Sequence, residues 1–304
     1  MAKLFVCSNT FAKAVLIAAV LSIISIQISA DKSMPDDRFA TMDGDGDGNG
    51  IRIHYKNYGK GKDAIVFIHG WSCDLSFWDA NIPAFVGRGH LIAIDLPGHG
   101  RSDKPQTGYS MDLFAGAVNT VLKDAGVEKA TLIGHSMGTP VSRQFFRKYP
   151  AKTSALVVVD GALKPFGTRE QMEPMIARFR SPDYKKSVEE FVGFLAQSSK
   201  NEKLMEKIRA SMLNTPQHVV VGAMEAQFDP AIWKDQDRIT VPTLAIMAVN
   251  PAWNADYEKF VRELVPGIDY RVWDGVSHFL MMDEPQKFNE TVIGFLTKYK
   301  LVKK

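Results

Sequence analysis

The 304-residue sequence predicts an α/β protein built on an open, mostly parallel, doubly wound sheet with a helical insertion. Short, continuously apolar, β-branched runs recur along the chain, as strands covered on both faces require. Stretches with helical spacing of apolar residues alternate with those runs. Gly- and Pro-rich turns follow the strand ends, where an open sheet of this class binds its ligands. Composition agrees: 45% of residues are hydrophobic and 23% charged, which excludes collagen, coiled coil and wholesale disorder.

Residues 1–30 read as a secretory signal. Lys3 and Lys13 flank its start, Ala14–Ile28 carries no charge, and Ser29-Ala30 supplies small residues before Asp31. About fifteen apolar residues suit such a leader, against roughly twenty for a membrane span, with an uncleaved N-terminal anchor as the rival reading. Either way the globular part is expected to be exported, periplasmic or secreted. Without Lys3 and Lys13 the net charge of +3 falls to +1, a poor balance for a nucleic-acid binder. Of the two cysteines, Cys7 precedes the leader's apolar run and Cys73 is left without a partner, so no internal disulfide is expected. Cys73 reads as a small packing residue.

Residues 31–50 are acidic and Gly-rich and read as a solvated linker. Asp43, Asp45, Asp47 and Gly48 match the start of a calcium loop, but the twelfth position is His54 where a bidentate Glu is required, so the match fails. The main domain is then expected over 51–304. Ile51–Tyr58 alternates as a strand. Ala64–His69, His90–Asp95, Ala130–Ile133, Ala155–Asp160, Val241–Val249 and Tyr270–Trp273 follow as short apolar strands. Val141, Phe145 and Tyr149 share one helix face, and Phe288, Val292, Phe295, Leu296 and Tyr299 form a C-terminal stripe. Asp283 and Pro285 sit where a helix N-cap and a first-turn proline belong.

Residues 165–235 contain no good strand but hold Met172, Met175, Met205, Met212 and Met224, with Phe166, Phe179, Phe191, Phe194, Phe228 and Trp233. Core packing is the default for such residues. Because the block lies between one strand's end and the next strand's start, it reads as a helical lid over the sheet's carboxyl edge. Its Met and Phe side chains would give a pliable apolar pocket.

Gly134-His135-Ser136-Met137-Gly138 is a G-x-S-x-G pentapeptide between the strand ATLI and the helix MGTPVSRQFFRKY. A nucleophile on so sharp a turn holds a strained backbone angle, and only very small residues two places either side avoid collision. The exposed hydroxyl can attack, and the helix N-terminus favours the negative charge that develops. The bland alternative is a plain helix-capping serine.

His69-Gly70-Trp71, Asp95–Asp103 (DLPGHGRSD), GHSMG at 134–138 and GVSHFLMMDEP at 275–285 together resemble the α/β-hydrolase family, in its lidded serine esterase- and lipase-like branch. Their order and spacing cover nearly everything from Ile51 onward. The resemblance implies Ser136 as nucleophile, lid-gated access and no cofactor. It implies backbone N–H groups of Trp71 and Met137 as the oxyanion hole, and structural roles for Asp95 and His99. A serine rather than an aspartate at 136 argues against a haloalkane dehalogenase. His278, after the last strand, is the expected base among seven histidines, since the family order is nucleophile, acid, histidine.

The acid departs from the pattern. The usual turn after VPTLAIMAV is here Asn250-Pro251-Ala252, with no carboxylate before Asp256. Asp160, directly after ALVVVD, is the preferred substitute, as in family members that carry their acid after that strand. Asp256 is the second choice, and a dyad whose ring is oriented by Asn250 or water is the third. Asp274 reads as a turn residue. The expected activity is therefore cleavage of carboxylic esters with small to medium apolar parts, through an acyl-enzyme. Lactone, thioester or carbon–carbon bond hydrolysis, and peroxide-dependent side chemistry, would use the same residues. A non-catalytic ligand-binding protein on the same scaffold is the reading from another class. The expected partner is a small-molecule ester, with no nucleic acid, no metal and no membrane partner beyond the possible anchor.

Overall fold

The computed structural model describes residues 34–43, 50–106, 108–165, 167–233 and 238–303. The expected leader, the Gly-rich run 44–49 and Phe166 lie outside them. Eight strands form one sheet: β1 (Asp36–Met42), β2 (Ile51–Tyr58), β3 (Asp63–Ile68), β4 (His90–Ile94), β5 (Lys129–His135), β6 (Thr153–Val159), β7 (Thr243–Ala248) and β8 (Asp269–Trp273). Their order is β1-β2-β4-β3-β5-β6-β7-β8, antiparallel at β1–β2 and β2–β4 and parallel from there on. Every residue of β4 and β7 is buried, as is all of β3 past Asp63, which is why these strands are unbroken apolar runs.

The long helices are α1 (Met111–Asp124), α2 (Gly138–Lys148), α3 (Arg169–Arg180), α4 (Tyr184–Leu195), α5 (Glu202–Met212), α6 (Gln217–Ala226), α7 (Ala255–Leu264) and α8 (Pro285–Lys298). Helices α1, α2 and α7 connect consecutive parallel strands, the arrangement that strand–helix alternation predicts. Helices α3 to α6 fill the insertion between β6 and β7, with Thr168 and Gln171 closing a capping box at the start of α3 and Asn201 capping α5.

Two expectations are corrected. The linker assigned to 31–50 contains β1, which pairs with β2 from Asp36 opposite Asn57 to Met42 opposite Ile51. Only Ala40 of that strand is buried, so no apolar pattern announces it. Backbone pairing holds β1, helped by Asp37, which accepts from His54 and Arg101, and by Phe39, whose ring carries the guanidinium groups of Arg52 and Arg101. Asp283 is not the N-cap of α8. Glu284 occupies that position ahead of Pro285, while Asp283 ends a four-residue helix and turns its carboxylate to Ser277 and Ser199.

Candidate active site

β5 runs into Ser136, whose φ is +51°, and α2 begins two residues later. Side chains rarely hold that angle, which costs about 1–3 kcal/mol where surrounding structure enforces it. The enforcement is visible. A Cβ on Gly134 would stand 2.3 Å from the Gly138 carbonyl oxygen, and one on Gly138 would stand 2.4 Å from that of Ile68. The bend is pinned by Ser136 N–H donating to Val159 O at 3.0 Å and Thr139 Oγ1 donating to Gly134 O at 3.0 Å. The glycines are therefore a steric requirement of the turn, as the sequence implied.

Asp160 follows β6 with φ +43°, its N–H bonded to Ile246 O at 2.8 Å. Its carboxylate is 3% exposed. Oδ2 meets His278 Nδ1 at 2.6 Å, and Oδ1 accepts from Ala248 N–H at 2.8 Å and from the Trp253 indole N–H at 2.9 Å. The contact with a carboxylate makes Nδ1 the protonated ring nitrogen and leaves Nε2 of a neutral His278 free to accept. Ser136, Asp160 and His278 line one cavity.

The other candidates fall elsewhere. Asp256 is exposed in the first turn of α7 and lines a neighbouring, open recess of about 920 Å³ with Lys164, Arg169 and Tyr257. Asn250 does face the cavity, but its Oδ1 accepts from Ala252 N–H and caps the 251–253 turn. That turn carries Trp253, so the segment where an acid was sought supplies a donor to the acid of the neighbouring strand. Asp274 accepts from Gly275 N–H in an exposed turn, as expected. Asp95 is buried and accepts from His54, Leu75 N–H and Arg101 N–H, which secures its loop.

Trp71 and Met137 are both buried, and neither backbone N–H has a protein acceptor among the described residues. Met137 immediately precedes α2, where the helix end also favours negative charge. The Trp71 indole donates to Val220 O of α6 at 2.8 Å and packs against Phe179 and Phe191, binding the inserted helices to this loop. Cys73 donates to Trp71 O, and burial pushes its thiol well above the usual value, so it is a neutral packing group.

His135 is a residue whose side chain the sequence reading left aside. Its Nε2 donates to His278 O at 2.9 Å, and the two rings lie 4.8 Å apart. Burial, then the nearby His278, holds its imidazole well below the ordinary histidine pKa. A neutral ring thus fixes the main chain of His278 without adding charge beside it.

The cavity has a volume of about 350 Å³. Its walls are Met172, Met175, Phe191, Phe194, Leu195, Met212, Met224 and Phe228 from the insertion, with Gln227 and Asn250 as uncharged polar groups. No lysine or arginine is among its described lining residues.

A family model described as the alpha/beta hydrolase fold matches residues 63–285. The chain belongs to this family, and it is a hydrolase. Among its relatives, the 2-hydroxy-6-oxononadienedioate/2-hydroxy-6-oxononatrienedioate hydrolase of Paraburkholderia phymatum is 29% identical over 82% of this chain and 92% of its own length. A non-heme chloroperoxidase of Kitasatospora aureofaciens is 25% identical over 82% of this chain and 98% of its own. A solved N-acyl homoserine lactone degrading enzyme superposes with a TM-score of 0.72 and 28% identity, covering 85% of this chain and 100% of that one.

Proposed function

We propose that this hydrolase cleaves carboxylic esters of small to medium apolar substrates through an acyl-enzyme on Ser136. Ser136 Oγ attacks the acyl carbon while His278 Nε2 takes its proton. The carbonyl oxygen becomes an oxyanion facing the N–H groups of Trp71 and Met137. As the tetrahedral intermediate collapses, His278 returns the proton to the departing alcohol oxygen. Water then attacks the acyl group, with the same ring as base and then acid, and Ser136 is regenerated. Asp160 holds the imidazole in its working tautomer and stabilises the cation that forms.

The observation that carries this reading is the bond from Asp160 to His278 at 2.6 Å, in a cavity that also contains Ser136. The non-catalytic reading drew its support from a missing acid, and Asp160 removes that support. Within the chemistry, the uncharged wall favours apolar acyl groups. The name of the Paraburkholderia relative describes a dicarboxylate substrate, whose two negative charges would find no cation among the described lining residues here. A lactone, the substrate class of the 28% identical solved structure, is a cyclic ester and fits the same steps. Export of the domain is proposed on the apolar run Ala14–Ile28, with cell fractionation as its check.

The test is labelling with a fluorophosphonate, followed by a p-nitrophenyl ester panel of increasing acyl length. The folded protein labels and turns over, and Ser136→Ala abolishes both. A folded wild type that neither labels nor hydrolyses any ester or lactone overturns the reading.

A further inference from the structure

The GVSHFLMMDEP segment contains an acid that the proposed chemistry does not use. Asp283 Oδ2 accepts from Ser277 N–H at 2.7 Å and from Ser277 Oγ at 2.6 Å, immediately before His278. Its other oxygen accepts from Ser199 Oγ at 2.7 Å, and Ser199 lies just past the end of α4 in the inserted helices. A second link runs beside it: His278 N–H donates to the carbonyl of Leu195, the last residue of α4, at 3.2 Å. One end of α4 is thus bonded to the main chain that carries the imidazole. The last turn of the same helix presents Phe191, Phe194 and Leu195 to the cavity.

Those two facts join through a rigid element. An acyl chain long enough to fill the cavity presses on the last turn of α4, and that turn is hydrogen-bonded to the His278 loop. Bonds that tighten only when the chain is in place act on the chemical step and not only on binding. We propose that Asp283 is a positioning residue which, with Ser199, ties α4 to His278, so that filling the apolar cavity raises turnover. This rests on the ester-hydrolase reading above and adds to it that chain-length preference is expressed in kcat.

Such preference is distinct from simple hydrophobic binding, which would lower KM and leave kcat flat. It also differs from a merely structural turn, whose loss would change all substrates alike. Ser199→Ala removes one hydroxyl at a half-buried position and leaves the Ser277–Asp283 turn intact. Asp283→Ala removes the acceptor of both Ser199 and Ser277 while the main-chain bond from His278 to Leu195 stays, and it serves as the second variant, with near-UV circular dichroism reporting its fold.

The experiment compares kcat and KM for p-nitrophenyl acetate and p-nitrophenyl hexanoate. In wild type, kcat rises from acetate to hexanoate. In Ser199→Ala the hexanoate-to-acetate ratio of kcat falls about fivefold, the loss expected for one hydrogen bond, while KM for hexanoate stays within about twofold. Asp283→Ala lowers the ratio at least as far. A wild-type kcat that does not rise with chain length overturns the proposal, as does a Ser199→Ala ratio equal to wild type or a change confined to KM. Failure of the parent reading is separate, because it appears as absence of fluorophosphonate labelling in the wild type.

Discussion

The Trp253 indole, in the turn after β7 where the family usually carries its acid, donates to Asp160 Oδ1 at 2.9 Å. The two strand ends have exchanged parts: β6 provides the carboxylate and the turn after β7 provides a donor that orients it. With Ala248 N–H on the same oxygen, Oδ1 is committed to the scaffold and Oδ2 is left to His278. Of the two carboxylates that the sequence left open, Asp160 is the one that meets His278.

Asp160→Asn preserves the shape of the site but offers His278 an amide that can select the wrong tautomer. By analogy with a serine-protease triad, kcat falls by about four orders of magnitude while ester binding persists. Asp256→Asn, altering an exposed side chain in another recess, leaves kcat/KM unchanged. Steady-state kinetics on the two variants checks both statements, and equal losses would contradict the geometry.

Trp253→Phe retains the ring and deletes the donor. Asp160 then keeps Ala248 N–H and His278, so its carboxylate is less firmly aimed. A fall in kcat of about tenfold with KM little changed is expected, the low end for one hydrogen bond to a charged acceptor. Unchanged kcat would mean that the indole only packs.

Much of this was legible in the sequence where chemistry forces composition. Buried parallel strands must be apolar on both faces, and β3 to β7 were visible for that reason, while β2 was visible by its alternation and β8 as a short run ending in the buried Trp273. The elbow was visible because Gly134 and Gly138 have no room for a Cβ. The strand β1 was not, since DDRFATM is held by backbone pairing and by polar contacts to His54 and Arg101 made from residues distant in sequence. Trp253 and His135 were missed because their roles depend on partners more than ninety residues away, with only a tryptophan in the turn lacking an acid as a clue. Asp283 was misread because a carboxylate before a proline suits an N-cap, while its partners Ser199 and Ser277 meet it only in the folded chain.

Gly134→Ala tests the elbow as a stability feature. The added Cβ meets backbone, at 2.3 Å from Gly138 O, and backbone cannot move aside as a flexible side-chain end could. A loss of at least about 3 kcal/mol is expected, the range of strongly strained core substitutions. Urea unfolding followed by circular dichroism measures it. Gly193, a helical glycine whose added Cβ has no heavy atom within 4 Å, gives the contrast: Gly193→Ala is neutral or stabilising by up to about 1 kcal/mol.

Acid sensitivity follows from rings that are buried uncharged. His69, His99 and His135 all have imidazole pKa values lowered chiefly by burial, that of His99 to about 3. Above the unfolded-state value of about 6.5 these rings are neutral in both states and pH leaves their contribution unchanged. As pH falls below about 6.5 the unfolded chain takes up protons that the native rings refuse, so stability declines. For His99 the decline continues down to its folded value of about 3. Each such ring steepens the loss by up to about 1.4 kcal/mol per pH unit. Urea midpoints measured between pH 8 and pH 4.5 therefore fall towards acid. In His99→Gln the slope below pH 6 is shallower by about one proton, whatever the substitution costs at neutral pH. An unchanged slope in that variant would show that His99 is not buried as a neutral ring.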